Sequence, residues 1–291
     1  MSHPASGDPQ QTYQRTILEE ISIIEDGIRR QPVDASRRWA LFQWLCIASQ
    51  WDRAIRQLQV FGQLDAGSLP LVQACRDLIR AERWRERVLL GLQAPGYVLD
   101  EPPAWMPGLV AALALTGHGE LAAAEGAREK ALDAAPLTGG RAGEVDFDWI
   151  ADSDSRLGPV CEIMTAGSYR WLAFADAAVL QIAQPATLMD LVWAKCSVTL
   201  RDGTVLRGFM PARYLSPVVG DVDTDRLAMG HQTVWRETGR VSIVAAGRKT
   251  WTTSAGDIGL FEWPDCRFAG SDATSGAAIR ESTLAAGTAF Q

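Results

Sequence analysis

The sequence predicts an α+β protein, an all-helical array of hairpins followed by a β-rich domain. Three observations predict it. From residue 12 to 136, apolar side chains recur at three- and four-residue spacing, the period of a helix buried on one face. The Gly-rich stretch Leu137-Thr138-Gly139-Gly140-Arg141-Ala142-Gly143 then reads as a linker. From 144 to 268, short β-branched and aromatic runs are punctuated by turn residues, the pattern of strands and hairpins. Residues 269–291 are rich in Gly, Ala, Ser and Thr and read as a disordered tail.

The helices follow in order. Ile17, Leu18, Ile21, Ile24 and Ile28 form one apolar stripe. Pro32 breaks it, and Asp34-Ala35-Ser36 supplies a cap for the next helix. Leu41, Phe42, Trp44, Leu45 and Ala48, a short turn, and then Trp51, Ala54, Ile55, Leu58 and Phe61 predict an antiparallel helical hairpin. Such a pair resembles a tetratricopeptide repeat, in which small residues let two helices approach closely. Ala54 occupies one small position, but Phe42 occupies the other, so this repeat is degenerate. Residues 109–136 match better, with Ala112 and Ala124 at the small positions and Pro136 at the end. Residues 70–92 read as one or two more helices, and 94–105, with four Pro and Gly residues, as a loop. So short an array buries its faces only against a neighbour, which makes the second domain its expected support.

In the second half, Val160 to Met164 and Ser168 to Phe174 predict a hairpin closed by Thr165-Ala166-Gly167. Ser197 to Leu200 and Thr204 to Met210 predict another across Asp202-Gly203, a dipeptide suited to tight turns. Val241 to Ala245 and Thr250 to Thr253 are expected to pair across Ala246-Gly247-Arg248, and Leu260 to Trp263 to add a strand. Residues 175–183 and 188–193 fit helix or strand equally.

The totals exclude several function classes. A net charge of −7 and a pI near 5.1 disfavour nucleic-acid binding, which needs a basic face to displace phosphate counterions. The run Arg83-Trp84-Arg85-Glu86-Arg87 is the nearest candidate and reads as a solvated helix face. The five cysteines, Cys46, Cys75, Cys161, Cys196 and Cys266, lack paired spacing and read as core residues in a reducing compartment. No apolar run reaches membrane-spanning length, and the polar start is not a signal design, so the expected location is the cytoplasm. The 11 tryptophans are read mainly as packing and secondarily as interface.

Catalytic patterns fail on their context. His3, His118 and His231 form no metal-binding spacing. Gly117-His118-Gly119-Glu120-Leu121-Ala122 follows a helix, where a dinucleotide fingerprint needs a strand. Gly247-Arg248-Lys249-Thr250 lacks the Gly-Lys-Thr order of a phosphate loop. The densest polar segment, Asp146 to Pro159, fails as a calcium loop, because counting from Asp152 puts Leu157 where Gly is needed and Ile163 where Glu is needed. Asp152 and Asp154 beside Arg156 read as a hydrogen-bonded turn with an ion pair. The alternative is a metal-dependent hydrolase using Asp148, Asp152 and Asp154.

Residues 147–159, Phe-Asp-Trp-Ile-Ala-Asp-Ser-Asp-Ser-Arg-Leu-Gly-Pro, resemble a signature of the ImpE/TagJ family. So do Gly167 with Tyr169 and Trp171, Asp190-Leu191-Val192-Trp193 and Pro211-Ala212-Arg213-Tyr214. In the helical half, Leu41-Phe42-Gln43-Trp44-Leu45-Cys46, Trp51-Asp52-Arg53-Ala54 and Gln57-Leu58 extend the resemblance. It implies an accessory protein of type VI secretion with no catalytic, cofactor-binding or metal-binding residues. The implied partner is the N-terminal helix of the small sheath subunit TssB, with a link to the ATPase ClpV, while charge and hydropathy give no expectation of a membrane or nucleic-acid partner. Asp152, Asp154, Arg156, Arg213 and Tyr214 are the candidates for a partner-binding or organising polar cluster.

Overall fold

A computed structural model describes residues 15–215, 222–263 and 265–270. The chain opens with α1 (Ile17–Arg30), α2 (Ala35–Ile47), α3 (Trp51–Leu64) and α4 (Leu69–Leu89). A two-residue strand, β1 (Gly96–Tyr97), precedes α5 (Met106–Gly117) and α6 (Leu121–Asp133). Then come β2 (Gly140–Ala142), β3 (Val145–Phe147), β4 (Ile150–Asp152), β5 (Val160–Thr165), β6 (Ser168–Ala173), β7 (Ala177–Ile182), β8 (Trp193–Leu200) and β9 (Val205–Pro211). The remainder is α7 (Val222–Ala228), β10 (Thr233–Glu237), β11 (Ile243–Gly247), β12 (Thr250–Thr253), β13 (Gly256–Gly259) and β14 (Asp265–Phe268). The α+β class is therefore as the sequence predicts.

Local chemistry accounts for the starts of the first two helices. Thr16 and Glu19 form a reciprocal capping box: the Glu19 N–H donates to Thr16 Oγ1 at 3.2 Å and the Thr16 N–H to Glu19 Oε2 at 2.8 Å. Asp34 caps α2 by accepting the Arg37 N–H. The bulky Phe42 is accommodated by aromatic packing. Its ring stacks on Trp39 at 5.1 Å, and Trp39 in turn lies 5.2 Å from Phe61. In the α5–α6 hairpin, Ala112 and Ala124 are buried as the spacing requires. Residues 70–92 resolve into a single 21-residue helix, α4.

The main sheet runs β1-β6-β5-β9-β8-β7-β14-β2-β3, and only β1–β6 is parallel. The β5–β6 and β8–β9 hairpins are the expected ones. Ala166 and Gly167 turn the first with φ of 48° and 70°. The stretches that fitted helix or strand resolve into β7, a 3-10 turn at Leu188–Leu191 and the start of β8.

Four expectations change. The segment read as linker contains β2, which pairs with β14 and β3. The 94–105 loop contributes β1 to the sheet edge. Strand β11 pairs with β10, while β12 pairs with β13 and β4. The expected β11–β12 hairpin fails because Gly247, at φ +94°, redirects the chain. The Arg248 N–H then donates to Gln232 O and the Lys249 N–H to Ala212 O, which leads the chain into another sheet. Residues 260–262 form a turn, with the strand delayed to β14. The tail from residue 271 onward, and the predicted helical start at 12–14, lie outside the described residues.

Alternation along the strands builds two cores. On β5, Val160, Glu162 and Met164 face the helices, while Cys161 and Ile163 face the second core. The first core joins α1–α5 to one face of the sheet through Tyr169, Trp171 and Trp193. The second lies on the other face of the sheet, where Phe174 packs edge-on to Trp251 at 5.7 Å and also touches Phe268. Tryptophan does serve packing, since Trp51, Trp105, Trp171, Trp193 and Trp251 are buried, and all five cysteines are free and buried.

Candidate functional site

The most unusual chemistry lies where α4 meets the sheet. On α4 the buried positions include Cys75, Leu78, Glu82, Arg85 and Leu89, so two charges sit on the apolar stripe. Arg85 Nε donates to Glu162 Oε1 at 2.7 Å, and its Nη1 donates to Glu82 Oε1 at 2.8 Å. Glu162 also accepts the Tyr169 hydroxyl at 2.6 Å and pairs with Lys249. Lys249 is shared with Asp152, whose Oδ1 accepts the Tyr214 hydroxyl at 2.7 Å. Trp193 Nε1 donates to the remaining oxygen of Glu82 at 3.0 Å. Trp171 Nε1 donates to the Tyr169 oxygen at 2.6 Å. Two cations and three carboxylates are thus linked in one buried network.

Burial alone would raise the Glu162 pKa, but Arg85 and Lys249 outweigh it and hold the carboxyl below the usual range. For Lys249, burial opposes the charge, yet Asp152 and Glu162 raise its pKa above the ordinary lysine value. Asp152 goes the other way. Burial, helped by Glu162 and Asp154, pushes it up to about 6 against the pull of Lys249. Such a network holds protons and charges firmly, but it lies away from solvent. Lys249 and Tyr214 are each 1% exposed.

The five sequence candidates divide among three places. Asp152 and Tyr214 belong to this network. Asp154 sits next to it, donating its N–H to Asp152 Oδ1 at 2.9 Å, and pairs with Arg156 at 2.6 Å as the turn reading expected. Asp154 Oδ2 also accepts the Ala245 N–H, tying the β4–β5 turn to β11. Arg213 does different work. Its Nη1 donates to Ile47 O and Ala228 O at 2.6 Å each, and its Nη2 to Cys46 O at 2.8 Å. It therefore satisfies the last carbonyls of both α2 and α7, where a cation also suits the helix dipoles. Burial draws its pKa down to about 10, against the attraction of Glu82.

Asp152, Asp154, Arg213 and Tyr214 are all buried, and Arg156 is partly so. Asp148 is exposed, apart from the two buried aspartates. Among the described residues, no three His, Cys, Asp or Glu side chains are grouped to hold a metal ion. Sequence reasoning missed Glu82, Arg85, Glu162 and Lys249. The available signal was a charge at a core-facing position, Glu162 within Val160-Cys161-Glu162-Ile163-Met164 and Arg85 on the buried stripe of α4.

Two surface depressions flank the network. One, of about 240 Å³, is lined by Ser49, Glu82, Glu86, Leu90, Arg213 and Tyr214. Glu86 accepts Trp51 Nε1 there at 2.7 Å, and burial raises its pKa. The other, of about 420 Å³, opens between α4, β1 and the start of β6.

Fold and site together define a helical-hairpin array joined to a mixed sheet through a network of buried charge. A crystal structure of a protein from Vibrio parahaemolyticus has the same fold, with a TM-score of 0.79 at 22% identity, covering 87% of this chain and 93% of that one. Residues 144–267 match the family model described as ImpE protein. A Pseudomonas aeruginosa protein described as type VI secretion system accessory component TagJ is 38% identical over 255 residues, which is 88% of each chain. The chain belongs to the ImpE family, as its resemblance to ImpE/TagJ sequences implied. None of the helices is long and apolar enough to cross a membrane, among the described residues.

Proposed function

We propose that this protein is a non-enzymatic adaptor of a type VI secretion system, acting in the cytoplasm. The observation that carries this reading is the 38% identity to the TagJ component across 88% of both chains, helical half included. The site chemistry supports it. Each candidate carboxylate for a hydrolase is exposed and isolated, as Asp148 is, or bound to Lys249 or Arg156 inside the protein. A catalytic acid or base must reach its substrate within hydrogen-bond distance, whereas Asp152 and Asp154 are engaged by cations inside the protein.

In this reading the helical array (residues 12–136) and the β-rich part (144–268) act as one body, because the buried network crosses between them. The partner is the N-terminal helix of the small sheath subunit TssB, laid as an amphipathic helix into a groove, with the ATPase ClpV brought to the sheath through the same adaptor. The test is a titration of the full chain with a labelled peptide covering that helix. Saturable binding that is lost when the apolar face of the peptide is made polar is the expected result. Absence of binding at high peptide concentration would remove TssB as the partner.

A further inference from the structure

We propose that the 420 Å³ groove between α4 and the β1–β6 edge docks an acidic peptide segment of a protein partner. An apolar side chain of that segment packs on Trp84 and a neighbouring carboxylate engages Arg170. The choice of a peptide ligand rests on the adaptor reading; the choice of site and of charge does not.

The groove has an aromatic wall held in place. Trp84 is 42% exposed, yet its Nε1 donates to Ala94 O at 3.0 Å, so the ring stands fixed beside Pro95. A large, immobilised, exposed indole is the side chain most often found at the energetic centre of a protein interface. Beside it, Arg170 spends Nη1 on Tyr97 O at 2.8 Å, while its Nε is shielded from water and has no hydrogen-bond partner. That Nε lies out of a ligand's reach, but Nη2 makes no hydrogen bond with the described residues, and a guanidinium nitrogen there offers a charge-assisted bond to an incoming carboxylate.

Charge complementarity gives the occupant. The chain carries −7 overall, yet the exposed ridge of α4 presents Arg76, Arg80, Trp84 and Arg87. On this ridge Asp77 is the acid, pairing with Arg80 at 2.9 Å. Arg80 is otherwise spent on Gly167 O, which pins the β5–β6 turn against α4 and keeps the groove open at that end. Gly167 suits that turn, since its φ of +70° is a backbone conformation that strains other residues. A polyanion such as nucleic acid would meet the overall negative field; a short acidic segment meets mainly the local positive one.

The experiment uses fluorescence anisotropy with the full chain and a fluorescein-labelled peptide rich in Glu and Leu. Its Lys-for-Glu twin and the sheath-helix peptide are titrated in parallel. The acidic probe is expected to bind and the Lys twin to fail. Trp84→Ala and Arg170→Gln should each weaken the acidic probe about tenfold or more, with Arg170→Lys recovering only part, because a lysine lacks the fork. Arg87→Glu, at an exposed position on the same ridge, alters charge without touching packing and should also weaken it. Equal binding of the two twins, or wild-type binding by both Trp84→Ala and Arg170→Gln in protein with an unchanged melting curve, would overturn the proposal. Binding of the sheath helix without binding of the acidic probe overturns the groove and leaves the adaptor reading standing. The reverse pattern supports the groove and removes the named partner.

Discussion

The two faces of β5 meet opposite environments. Away from the helices, Cys161 and Ile163 join Phe174, Trp251 and Phe268 in an apolar core. Toward the helices, one residue away, Glu162 is fully buried and ion-paired. The far core needs only shape and volume, and many apolar sequences could fill it. The near face needs particular partners, because a buried carboxylate without its cations is several kcal/mol out of place. Helices sliding on an all-apolar sheet face would find several near-equal seats. A network in which Arg85 reaches Glu162 and Arg213 caps α2 is satisfied in one seat. The difference teaches that the charges specify how the helical array sits on the sheet, while the apolar contacts supply most of the cohesion.

The largest way to break this contrast is Glu162→Gln. It leaves Arg85 and Lys249 buried without their shared carboxylate, and should cost about 3–5 kcal/mol in denaturant unfolding. The pH dependence has a definite sign. The folded pKa of Glu162 lies below its ordinary value of 4.5, so its stabilisation is complete above that value and is lost as pH falls below it. The gap between wild type and variant should therefore be widest near neutrality and shrink below about pH 4.5. A constant gap from pH 7 to pH 3 would mean that the loss is one of packing.

The contrast also separates what the sequence discloses from what it conceals. The helix stripes, the cap at Asp34, and the hairpins across Ala166-Gly167 and Asp202-Gly203 are local, set by residues within a few positions of each other. Each was legible. Strand β1 has only two residues and no period to detect, so its place at the sheet edge was not. The β11–β12 hairpin misled because Gly247-Arg248 has the composition of a turn, while the decisive bonds run to Gln232 and Ala212. At the site, Asp154–Arg156 was legible because its partners are two residues apart. Arg85 and Glu162 are 77 apart and Lys249 and Glu162 87 apart, distances over which no spacing rule operates.

A second, smaller effect should come from Asp152→Asn. Here the folded pKa, about 6, lies above the ordinary 3.8, so the sign reverses. The contribution of Asp152 is fully present below pH 3.8 and is lost as pH rises through about 6. The difference between wild type and variant should accordingly grow as pH falls from 6 to 4, by up to about 3 kcal/mol. Opposite pH trends for two carboxylates on the same lysine would tie both to the network. Parallel trends would show that Asp152 is held ionised as firmly as Glu162.

The smallest expected effect lies on the other face of the strand. Ile163→Val removes one methylene from the apolar core, next to Glu162 in sequence but across the sheet from its partners. It should cost about 0.5–1.5 kcal/mol, with no dependence on pH between 3 and 8, because no titrating group faces the lost atoms. Combined with Glu162→Gln, its cost should simply add, since the two side chains share no partner across the sheet. A strong departure from additivity would show that the backbone of β5 transmits strain between the faces, and the two cores would then have to be treated as one.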